Sequence, residues 1–90
     1  MKDRSSDQTA SSRQAILIVD DDPHILEVLE ARLSSAGLRV RTAISAQEAL
    51  EALKTHPVDL IITDVRMPGM GGMDLYVEVH ALRPELPVIF

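Results

Sequence analysis

Cysteine and tryptophan are both missing from this chain, and its aromatic complement is one tyrosine and one phenylalanine in 90 residues. Without thiols there is no disulfide framework, no thiolate metal site and no cysteine nucleophile. So few rings leave no stacking platform for bases. Positive charge is also scarce: 9 Lys and Arg stand against 14 Asp and Glu, for a net charge of −5. The basic footprint of a nucleic-acid binder is lacking, and no nucleic-acid partner is expected through this segment. No apolar run approaches the roughly 18 residues needed to cross a bilayer, so no membrane partner is expected either. The opening stretch "MKDRSSDQTASSRQ" lacks the apolar core of a signal peptide, and the expected location is cytoplasmic.

What is present reads as one small globular domain, near the lower size limit for a self-supporting core. Residues 1–14 are polar and aperiodic and are expected to form a disordered leader. They carry a small positive surplus, so the acidic excess belongs to residues 15–90. "AILIVD" (15–20) is an apolar, β-branched run that suits a strand covered on both faces. Asp22 followed by Pro23 marks a helix start, and Ile25, Leu26, Leu29 and Leu33 recur at helical spacing until Gly37. "LRVRTA" (38–43) alternates apolar and basic residues, as a strand nearer an edge does. Ser45 with Glu48 forms a capping box ahead of a second helix, whose face carries Ala46, Ala49, Leu50 and Leu53. "VDLIIT" (58–63) is a third strand. Leu75, Val79 and Leu82 mark a third helix that Pro84 ends, and "PVIF" (87–90) begins a fourth strand.

Strands and helices that alternate through short connections predict a parallel sheet with helices on both faces. In such sheets ligands gather at the carboxyl ends of the strands. Asp20, Asp21 and Asp64 all fall there. If the first and third strands are neighbours, three carboxylates converge and repel. A hard dication removes that conflict, and Mg²⁺ suits a site with few carboxylates, a carbonyl and several waters. Such sites generally serve phosphate chemistry.

"ILIVDDD" followed by "LIITDVRMPGMGG" resembles the receiver domain of two-component response regulators, over residues 15–90. The resemblance implies a flavodoxin-like, doubly wound parallel sheet of strand order 2-1-3-4-5. It implies that Asp64 is the phosphoacceptor, taking a phosphoryl group from a sensor histidine kinase or phosphotransfer protein in a phosphorelay. It also implies Mg²⁺ held by Asp21 directly, by Asp20 through water, by Asp64, and by the backbone carbonyl of Arg66. The module would be a switch rather than an enzyme.

Two departures accompany the resemblance. Gly71 stands where the family usually has an acid. The family's strand four ends in Ser or Thr and its strand five in Lys, and both positions would fall beyond Phe90. The expectation is therefore a receiver incomplete at its C-terminus, without strand five and the last two helices. "PVIF" would then be an open apolar edge, liable to self-association. Other readings stand beside this one: an interaction module independent of phosphorylation, a fragment of a longer regulator, or a phosphatase of the haloacid dehalogenase type. The last wants an acid where this chain has Arg66. Asp22 reads as a helix cap only, and His24, His56 and His80 are too scattered for a shared site. Lys54 falls too far along the second helix to stand in for the missing lysine. Met67, Met70 and Met73 read as loop packing, and Tyr76 as a partly buried anchor.

Overall fold

An uninterrupted apolar pentad is stable in water only if both of its faces are covered, and all five residues of β1 (Ala15–Val19) are buried. The computed structural model describes residues 14–64, 69 and 71–90, so the expected leader lies outside the described residues except for Gln14. After β1 come α1 (Pro23–Ser35), β2 (Arg39–Ala43), α2 (Ala46–Thr55), β3 (Leu60–Thr63), α3 (Gly72–Leu82) and β4 (Val88–Ile89). The four strands form one parallel sheet in the order β2-β1-β3-β4.

Helix ends follow local chemistry. The Asp22 carboxylate accepts the His24 N–H at 2.9 Å, with Pro23 at the first helical position. At the other end of α1, Gly37 N–H donates to the Ser34 carbonyl and Leu38 N–H to the Leu33 carbonyl. That double closure needs a left-handed residue, and Gly37 has φ +90°. Ser45 Oγ accepts the Glu48 N–H at 3.1 Å, as the capping box requires. The Glu48 carboxylate, however, takes the N–H of Ile44 (3.0 Å), one residue earlier than expected. Gly71 precedes α3 with no side chain to offer, and the Asp74 carboxylate supplies the return contact to its N–H at 3.4 Å, which makes half a capping box.

The sheet separates two apolar layers. Leu17, Val19 and Ile61 pack with Ala46 and Ala49 of α2 and Leu75 and Val79 of α3. Ile16 and Ile18 pack on the other face with Leu26, Leu29 and Leu33 of α1. One expectation fails on α3. Leu82 is 59% exposed, because the helix turns its core stripe through Leu75 and Val79 and the next turn overhangs solvent. Tyr76, expected as a partly buried anchor, is 37% exposed, stacked on His80 (5.6 Å) and tilted against Phe90 (6.3 Å).

A long-range clamp sets the start of β3. The Asp59 carboxylate accepts the Ala15 N–H at 2.8 Å, while Asp59 N–H donates to the Ala15 carbonyl at 2.7 Å. Ala15 is buried, so losing the acceptor leaves its N–H unsatisfied. Asp59→Ala is expected to cost about 1–2 kcal/mol, and Asp59→Asn, which keeps an acceptor oxygen, less than half of that. Denaturant melts of the three proteins check the order.

Candidate functional site

Register brings the acids together. Val19 pairs with Ala43 on one side and Thr63 on the other, so the residues that follow β1 and β3, Asp20 and Asp64, leave the sheet side by side. The ladder continues past the strand ends and fixes both backbones. Asp20 N–H donates to the Ala43 carbonyl (3.1 Å) and Asp64 N–H to the Val19 carbonyl (3.0 Å). Thr63, buried at 3% exposure, donates its hydroxyl to the Asp64 carbonyl at 3.1 Å. Asp22 N–H donates to Asp20 Oδ1 at 2.9 Å, so the residue that caps α1 also orients a site carboxylate.

One carboxylate oxygen from each of Asp20, Asp21 and Asp64 lies within 4.8 Å of the others. Asp21 is exposed and Asp20 half-buried. Burial holds the Asp20 carboxyl above its ordinary value of 3.8; the Asp22 N–H opposes this, and the charges of Asp64 and Asp21 add to it. Three oxygen-only ligands under mutual repulsion are the donor set that a hard dication such as Mg²⁺ prefers. The residues present fit that ion.

The sequence expectation of convergence at the carboxyl ends of β1 and β3 is met for Asp20, Asp21 and Asp64. The fourth expected ligand, the Arg66 carbonyl, lies outside the described residues, as do Met67 and Met70. His24, His56 and His80 take no part in the acidic cluster. Lys54 sits on α2 in an exposed ion pair with Glu51. Asp22 is the helix cap it was read to be, and additionally an Asp20 donor. The Asp-x-Asp spacing carried that signal, since aspartates often accept the N–H two residues on. Thr63 was missed as a fixing residue.

Ionised Asp20 opposes folding of the metal-free protein. Its raised pKa means the folded state keeps a proton where the unfolded chain has lost it, so this contribution makes stability fall as pH rises above 3.8 through the shifted value. Asp20→Asn keeps an acceptor for Asp22 N–H and is expected to raise metal-free stability at neutral pH by up to ~1 kcal/mol, solvent screening keeping the gain small. The gain should vanish in acid below that window. Melts with chelator present, in acidic and neutral buffer, check both.

A family model for the response regulator receiver domain matches residues 16–90. Among curated proteins, the transcriptional regulatory protein GlrR of Escherichia coli K12 is 47% identical over 74 residues, covering 82% of this chain and 17% of that protein. The response regulator PilR of Pseudomonas aeruginosa is 44% identical over 77 residues, covering 86% of this chain and again 17% of the relative. The chain thus spans about one sixth of the length of these relatives. A receiver protein from Pseudomonas putida superposes with a TM-score of 0.82 at 34% identity, over 86% of this chain and 65% of that one. The Thermotoga maritima regulator TrrA, solved with Mg²⁺ and BeF, gives 0.79 at 33% identity over 83% and 65% of the two chains. Among the described residues, no helix is long and apolar enough to cross a membrane.

Proposed function

The chain belongs to the response regulator receiver domain family of two-component systems, and from that premise we propose that Asp64 accepts a phosphoryl group from the phosphohistidine of a kinase or phosphotransfer protein. The observation that carries this reading is the convergence of Asp20, Asp21 and Asp64 on one point at the carboxyl edge of β1 and β3. An Asp64 carboxylate oxygen attacks phosphorus, the phosphorus–nitrogen bond of the donor breaks, and an acyl phosphate forms while the imidazole leaves and takes up a proton. Phosphoryl transfer asks the protein mainly for position and charge balance. Position comes from the ladder: the backbone of Asp64 is tied to Val19 and Thr63 before any donor arrives.

Asp20, Asp21 and Asp64 would hold Mg²⁺, with the Arg66 carbonyl as the remaining protein ligand. When bound, the cation offsets the negative charge shared by the carboxylates and the transferred group. Asp21 is the direct ligand in this reading, and Asp20 acts through water. The module works as a switch for a longer regulator rather than as an enzyme with a released product, and its relatives' roles in transcription suggest the kind of output it gates.

The test is intact-mass measurement after incubation with acetyl phosphate, with Mg²⁺ or with chelator. One phosphoryl group should appear with Mg²⁺ and none with chelator. In parallel, Asp21→Ala should weaken Mg²⁺ binding roughly tenfold or more, and Asp20→Ala less. Equal affinities in the two variants would remove the distinction between direct and water-mediated ligand. Incorporation that ignores the metal would overturn the role of the acidic pair.

A further inference from the structure

Thr63 ends β3 and is the single buried polar residue among the described residues. It stands opposite Val19 of β1, and Ile61 precedes it on the same face, so strand alternation turns it toward the layer that α2 and α3 cover. β-Branching suits a strand, but valine supplies that with the same shape and no polar atom. A hydroxyl taken out of water costs free energy unless a partner accepts its proton. Here the acceptor is the Asp64 carbonyl at 3.1 Å. A polar group thus stands in an apolar layer and is aimed at the backbone of one residue.

That residue lies where the strand stops. Asp64 follows the last position of β3, and its N–H is held by the Val19 carbonyl at 3.0 Å. A residue whose N–H and C=O are both tied has little freedom in φ and ψ, and the direction of its Cβ follows from them. The Thr63 hydroxyl supplies the tie on the carbonyl side. Valine in its place would keep the packing and loosen that end.

We propose that Thr63 is a positioning residue for phosphoryl transfer: through the Asp64 carbonyl, its hydroxyl holds the Asp64 carboxylate in line for attack. This role rests on the phosphoacceptor reading of Asp64. The contact is with the carbonyl and not with the carboxylates that would hold Mg²⁺, so it acts on the rate of transfer rather than on cation binding. A carboxylate free to swing reaches the attacking geometry less often, and small misplacements slow such steps strongly.

The test compares Thr63→Val and Thr63→Ser with the parent chain by Mg²⁺ affinity, thermal melting and the initial rate of phosphoryl incorporation from saturating acetyl phosphate with Mg²⁺. Thr63→Val should slow incorporation roughly tenfold. Its Mg²⁺ affinity should stay within about twofold of the parent and its melting temperature within about 4 °C. Thr63→Ser keeps the hydroxyl but loses a methyl group, so it should retain most of the rate and yet melt below the valine variant. The orders of rate and of stability therefore cross, which a merely structural role would not produce. The carbonyl ¹³C shift of Asp64 should move in the valine variant and not in the serine variant, which reports the hydrogen bond without any phosphodonor. An unchanged rate in Thr63→Val, rates that follow the melting order, loss of its fold, or an unmoved Asp64 carbonyl shift would each overturn the proposal. A parent chain that takes up no phosphoryl group would instead overturn the phosphoacceptor reading, and the positioning role with it.

Discussion

Asp64→Asn is expected to lower phosphoryl incorporation from acetyl phosphate by at least ~1,000-fold, to the level of background modification. The amide has nearly the shape of the carboxylate but is a far poorer nucleophile. The backbone ties that set its place, Asp64 N–H to the Val19 carbonyl and Thr63 hydroxyl to the Asp64 carbonyl, do not involve the substituted atoms. Those backbone ties are kept in the variant. Removing one of three clustered negative charges also reduces the repulsion that adds to burial in raising the Asp20 pKa. Intact-mass kinetics and a thermal melt on the same sample separate the two effects. Loss of both activity and fold would mean that Asp64 is structural.

Ile61→Ala is expected to damage the fold most. Ile61 is fully buried in β3, paired with Leu17 on one side and Val88 on the other, within the layer that α2 and α3 cover. Truncation there removes apolar contacts and leaves a cavity that rigid strands on both sides cannot fill. A loss of about 3 kcal/mol follows, against roughly 5–15 kcal/mol for the whole of a typical domain. Melting should fall by roughly 15 °C. Ile61→Val, one methylene smaller, should cost about 1 kcal/mol. If the two substitutions cost the same, the packing around Ile61 is looser than the structure indicates.

Much of this fold was legible because local pattern and final environment agree. The apolar pentad of β1 is buried throughout, and the alternation in β2 places Arg39 and Arg41 outward at a sheet edge. Asp22-Pro23, Ser45 and Gly37 each act at the helix end where the sequence put them. The acidic cluster was legible for the same reason: strand ends are visible in sequence, and a parallel sheet brings alternate strand ends together. What could not be read depends on groups far apart in the chain. The Asp59–Ala15 clamp joins residues 44 positions apart, and an aspartate before an apolar run reads locally as a turn. The outward position of Leu82 depends on how α3 rolls against α2 and β3, which helical spacing alone does not fix. The shift of the Glu48 contact to Ile44 is a matter of one rotamer choosing between two adjacent N–H groups.

One side chain, Asp64, is expected to carry the phosphoryl group. Borohydride reduction of the phosphorylated protein converts a phosphoaspartate to homoserine, and peptide mass spectrometry then locates it. Homoserine is expected at residue 64 alone, formed only when Mg²⁺ was present. Homoserine at Asp20 or Asp21, or a phosphoryl group retained on His24, His56 or His80, would contradict it.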